Sequence, residues 1–169
     1  MRLLAMFICL MSLTVKSQEL VFGDTALIND MHKKSAAIYG NNDSIVFALT
    51  KISFTIENIY AAEITCYLKN KIPNRLVVIY TTDSGLLAHE FVLENKQLIF
   101  CYESMGYFDA MTPKNSWRNF KHIAGYEARY YFVDEKLIAQ IKSGKLPTSP
   151  VKGQLLIEEK NKLLAYLKM

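Results

Sequence analysis

The sequence predicts an α+β domain: an antiparallel β-meander of about five to seven strands, with an N-terminal helix and a C-terminal amphipathic helix. Three observations point to it. From Glu63 onward, short runs rich in branched and aromatic residues alternate with turn residues. The two flanking segments carry apolar residues at helical spacing instead. The stretch HEFVLENKQLIFCYES from His89 is echoed 39 residues later by ARYYFVDEKLIAQIKS from Ala128. In the echo, apolar and aromatic positions match, whereas His89 falls on Ala128 and Glu90 on Arg129. A repeated chemical site would keep its acid or base; a repeated hairpin keeps only its pleat and its turn.

The N-terminus reads as a targeting segment. Arg2 precedes an apolar run from Leu3 to Val15, and Val15-Lys16-Ser17 suits a cut after Ser17. The run is shorter than the roughly 20 residues that span a membrane. The expected organisation is a signal peptide over 1–17 and a single α+β domain over 18–169, exported to the periplasm or secreted. No transmembrane segment is expected after cleavage. Without Arg2 and Lys16, the 20 basic residues become 18 against 16 acidic ones, a net charge of +2. That is too small a bias to argue for nucleic acid or an anionic membrane surface.

Asp24 is a plausible N-cap for a helix over Thr25–Tyr39, with Ile28, Met31, Ser35 and Ile38 on one face and Gly40 as its stop. His32, Lys33 and Lys34 are expected in solvent. SIVFALTKISFTIEN fits both periods; its second half suggests a strand over Lys51–Ile56, and its first half stays open. EITCYLK follows, then a turn over Asn70–Asn74 containing Pro73. RLVVIYTT leads to a turn at Asp83-Ser84-Gly85, and LLAHEFVL to one at Glu94-Asn95-Lys96. QLIFCYE runs into a long loop. EARYYFV, a turn at Asp134-Glu135, and KLIAQI complete the meander. Leu76 to Tyr80 is apolar on both faces, so that strand is expected to be covered on both sides. KSGKLPTSP is a linker. Beyond it, Leu156, Leu163, Leu164 and Leu167 mark an amphipathic helix from about Gly153 to Leu167, packed on the sheet, with Glu158, Glu159, Lys160 and Lys162 on its other faces.

At EITCYL, HEFVLENKQLIFCYE and YEARYYFVDEKLI, the chain resembles a group of small exported proteins of unknown function common in Bacteroidota. The shared pattern falls here at Ile64–Leu68, Glu90–Tyr102, Trp117 and Glu127–Ile138, about half of the chain. This copy departs from the turn glycines usual there. The resemblance implies an exported β-rich domain and brings no activity, ligand or catalytic residue.

Few catalytic patterns are present. The seven glycines are scattered, with no phosphate-binding loop. His89-Glu90 opens like a zinc-protease motif, but Leu93 stands where the second histidine belongs. Strand neighbours also point to opposite faces. His32, His89 and His122 have no ligand spacing. Cys66 and Cys101 read as buried, inert thiols among apolar neighbours. On a plain meander, three strand spacings hold them roughly 14 Å apart, beyond the reach of a disulfide unless the sheet closes. No metal, cofactor or catalytic residue is therefore assigned.

The segment from Met105 to Gly125 is the exception. It combines Tyr107, Phe108, Trp117 and Phe120 with Arg118, Lys121 and His122, the residue types of binding hot spots. Those seven are the candidate ligand- or partner-binding residues; the competing reading makes Trp117 and Phe120 a plug for an open sheet edge. The expected function is an exported non-catalytic binding or interaction module, its partner an unknown protein or small ligand of the cell envelope. The alternatives are an immunity or inhibitor protein that caps an envelope or secreted enzyme, or a small hydrolase.

Overall fold

The computed structural model describes residues 19–39, 41–50, 59–82, 85–107, 123–144 and 153–169. It is an α+β meander. Strands β1 (Glu19–Phe22), β2 (Ser44–Thr50), β3 (Ile59–Lys69), β4 (Ile72–Thr82), β5 (Gly85–Glu94), β6 (Gln97–Tyr107), β7 (Ile123–Val133) and β8 (Lys136–Gly144) make one sheet. Its order is β1-β8-β7-β6-β5-β4-β3-β2, antiparallel throughout. Strands β2 to β8 are the meander. The short β1, which strand periodicity does not reveal, adds an eighth strand beside β8. Expected strand Lys51–Ile56 lies outside the described residues, and the segment left open before it forms β2.

Helix α1 spans Thr25–Tyr39, as its spacing predicts. The Asp24 carboxylate caps it, accepting from the amides of Ala26 at 2.7 Å and Leu27 at 3.3 Å. Ile28, Met31 and Ser35 are buried, while His32, Lys33 and Lys34 face water. Helix α2 spans Gly153–Tyr166. The helices cover opposite faces of the sheet. Leu156, Ile157, Leu163 and Leu164 of α2 join Ile64, Leu76, Val78, Phe91, Leu98, Tyr130 and Phe132 in the main core. Ile28 and Met31 of α1 pack with Val92, Ile99, Phe100, Tyr131 and Ala139 on the other face.

Three hairpins share one construction. Asn70-Lys71, Asn95-Lys96 and Asp134-Glu135 are two-residue turns in which both residues have positive φ, between 49° and 68°. This is the mirror-image turn that matches strand twist. Each hairpin carries a register shift beside its turn, between Tyr67 and Leu68, Val92 and Leu93, and Tyr131 and Phe132. The extra residue is Asn74, Ile99 or Ile138. The bulge sends two consecutive residues, Ile99-Phe100 or Ile138-Ala139, to the α1 side. The 39-residue echo is thus two copies of a hairpin that the fold uses three times.

This geometry corrects the turn expected over Asn70–Asn74. The turn itself is Asn70-Lys71, and Pro73 lies within β4, paired with Leu68. The long loop is also shorter than expected. Strand β6 continues to Tyr107 and β7 begins at Ile123, with those two residues paired. Gly125, which weakens the strand pattern there, instead permits close approach of the Met105 carbonyl and the Tyr107 ring. Cys66 on β3 and Cys101 on β6 are buried and not joined to each other by a disulfide.

Candidate functional site

A polar cluster lies between the sheet and α2. His89 on β5 stands opposite Glu103 on β6, with Nε2 3.0 Å from Glu103 Oε2. Its Nδ1 lies 2.8 Å from Oε1 of Glu159 on α2. The Tyr80 hydroxyl of β4 donates to that same oxygen at 2.6 Å. The rings of Tyr80 and Phe91 each meet the imidazole edge-on, at 5.8 Å between centroids. His89 is 4% exposed and Glu103 1%.

The electrostatics follow from that enclosure. Burial alone would lower the His89 pKa, but the Glu159 and Glu103 carboxylates outweigh it and push it up to about 10. His89 is therefore an imidazolium at neutral pH, hydrogen-bonded through Nδ1 to Glu159 and ion-paired through Nε2 with Glu103. Burial and then the Glu103 carboxylate hold the Tyr126 and Tyr130 phenols well above their ordinary value; burial and then Glu159 do so for Tyr80. A base needs an unprotonated nitrogen, and a nucleophilic phenol needs a lowered pKa. The cluster is poised for neither at neutral pH.

Lys160, next to Glu159 in α2, is 3% exposed. Its Nζ donates to the Lys96 carbonyl at 3.2 Å and to Glu135 Oε1 at 2.6 Å. Residues 96 and 135 are equivalent positions of the two echoed hairpins, so one ammonium ties both turns to the helix. The Lys160 hydrogen bond lowers the Glu135 pKa. The expectation that Glu159 and Lys160 lie away from the apolar face is corrected here. Lys160 follows Leu156 by one helical turn, and burial is tolerated because both side chains are paired.

Glu90 points to the other face, as strand alternation requires. Its Oε1 lies 3.5 Å from Arg75 Nε. The Arg75 guanidinium lies over the Tyr67 ring at 3.7 Å and the Tyr39 ring at 5.0 Å. Burial raises the Glu90 pKa, with Arg75 opposing. These contacts seat the end of α1 on β3, β4 and β5. Among the described residues, no three His, Cys, Asp or Glu side chains converge to hold a metal ion.

Of the seven sequence-predicted binding residues, Tyr107 is described. It ends β6, 39% exposed, with its ring lying across Gly125, where a side chain would collide with it. Phe108, Trp117, Arg118, Phe120, Lys121 and His122 lie outside the described residues. The strands nevertheless fix where that segment is attached. The three tight turns occupy one end of the sheet. The connections 51–58, 83–84, 108–122 and 145–152 all leave from the other end, where Tyr107 sits. No helix among the described residues is long and apolar enough to cross a membrane.

No protein-family model, no curated protein and no solved structure matches this chain.

Proposed function

We propose that this protein is an exported, non-catalytic binding module that engages a protein or small ligand of the cell envelope. The observation that carries the reading is the asymmetry of the sheet. One end is closed by three minimal turns, two of them pinned by Lys160. The connections 51–58, 108–122 and 145–152 leave from the other end, and 108–122 carries Trp117 and Arg118, while the 40–43 link from α1 to β2 lies with the turns. Rigid scaffolds commonly present recognition residues on the connections at one end. The arrangement of His89 supports the non-catalytic part, because its neighbours hold it protonated beneath α2. Trp117 and its aromatic neighbours would bury against the partner, with Arg118 and Lys121 fixing an acidic group.

The test is a pull-down with the full chain from envelope and secreted fractions, beside a Trp117→Ala/Arg118→Ala version. A partner captured by the first and lost by the second supports the reading. A partner retained by both moves recognition away from this segment. Glycan and lipid screens of the same two proteins test the small-ligand case.

A further inference from the structure

Among the described residues, the two edges of the sheet differ in a way that matters for association. An edge strand presents unpaired backbone donors and acceptors, and sheets usually blunt such edges with shortness, charge, proline or a bulge. Edge β1 uses three of these: it has four residues, begins with Glu19, and carries a register shift between Leu20 and Phe22. Edge β2 uses none. Its seven residues, SIVFALT, include no charge, proline or glycine, and pair with β3 in unbroken register. Val46 and Ala48 pack into the main core, whereas Ile45 is 62% exposed and Phe47 58%.

We infer that β2 is the surface through which this chain pairs with a second copy of itself, antiparallel about a two-fold axis at Phe47. The strand is self-complementary in that register. Phe47 meets Phe47, Val46 meets Ala48, Ile45 meets position 49, and Ser44 meets position 50. The core-facing residues of both copies then stay on one face, and the exposed apolar residues join on the other. A large aromatic side chain carries roughly 150–250 Å², so Phe47 and Ile45 together offer on the order of 200 Å² per copy. The pair of copies hides about 400 Å² of apolar side chain, plus the strand edge. A permanent interface needs about 1,200 Å² or more in total. The assembly is accordingly a reversible, concentration-dependent dimer that extends the sheet across the axis. The protected β1 edge stops it from growing further.

Sedimentation velocity of the purified full chain, from micromolar to near-millimolar concentration, should show monomer converting to dimer. Phe47→Lys should remain monomeric throughout, with an unchanged circular dichroism spectrum because the site is exposed. The register has its own test. Directly opposed residues have Cα atoms about 4.5–5.5 Å apart, within disulfide range. Phe47→Cys should therefore form a disulfide-linked dimer under mild oxidation, and Ile45→Cys, which meets position 49, should not. A chain that stays monomeric at every concentration overturns the inference. So does a dimer that survives Phe47→Lys, or equal cross-linking at Ile45 and Phe47. A monomer whose β2 instead captures an extended segment of another protein also overturns it.

Discussion

His89 and Glu103 face each other across the β5–β6 ladder at 3.0 Å, and both are closed off from water by α2. The pair belongs to a chain of contacts from Tyr80 through Glu159 and His89 to Glu103, so three strands and one helix meet around one imidazolium. Removing one member of a buried ion pair leaves the other charge without compensation, at about 3–5 kcal/mol. His89→Ala should lose stability of that order in urea unfolding. Replacing His89, Glu103 and Glu159 together by leucine should recover much of the loss, since no charge of this cluster remains buried. A single His89→Ala variant as stable as the parent would contradict the buried-pair account.

The same histidine sets a pH dependence. Its folded pKa, about 10, lies above its unfolded value near 6.5. Protonated His89 therefore contributes its full stabilisation below about pH 6.5, and that contribution is lost as pH rises through the folded pKa. Between pH 6.5 and 9 the slope should be on the order of 1.4 kcal/mol per pH unit. Above pH 9 the Cys66 thiol, pushed up to about 11 by burial, adds a loss of the same sign. Urea titrations at pH 6, 7.5 and 9 should show the decline in the parent and not in the His89/Glu103/Glu159 leucine variant.

Much of this architecture was legible in the sequence, and what was not has identifiable causes. The N-cap of α1 and the apolar faces of both helices are local, so Asp24, Ile28, Met31 and Leu156 are legible in the sequence; the expected stop Gly40 lies outside the described residues. The His89–Glu103 pair was not legible, because it depends on one bulge. A plain hairpin about Asn95-Lys96 would set His89 opposite Tyr102; the extra residue at Ile99 moves the partner to Glu103, and a one-residue shift exchanges faces. The 39-residue echo was the available signal, since the same shift recurs after Tyr131. Glu159 reaches His89 only through tertiary packing, and no local pattern reports that. Lys160 differs from its sequence reading because a charge within an apolar stripe reads as solvated until its partners, two distant turns, are known.

Lys160 predicts a coupling between those turns. Lys160→Met keeps the aliphatic stem and removes both polar contacts, at a cost of about 1–3 kcal/mol for charge-assisted hydrogen bonds. Amide exchange should quicken at both Asn95-Lys96 and Asp134-Glu135, although the substitution lies in α2. The Glu135 pKa, lowered by Lys160, should rise towards its ordinary value in an NMR titration. Faster exchange at one turn alone would show that the ammonium does not bridge them.

The turns also store conformational strain that can be relieved. Lys71 and Lys96 hold φ values of 64° and 68°, in the left-handed region that costs an L residue roughly 1–2 kcal/mol. Glycine adopts that conformation without the Cβ clash but loses more entropy on folding, which offsets part of the gain. Lys71→Gly and Lys96→Gly should therefore each stabilise the fold by about 0.5–1 kcal/mol. Lys160 contacts residue 96 through its backbone carbonyl, so Lys96→Gly keeps that bond. Glu135→Gly differs, because the side chain that pairs with Lys160 is lost. It should gain little or be destabilised, although its backbone, at φ 56°, is equally left-handed. Thermal melts of the three single variants and of the Lys71→Gly/Lys96→Gly double should show additive gains for the two lysines and none for Glu135. Similar gains at all three positions would mean that backbone strain, not the Lys160 bridge, governs the β7–β8 turn.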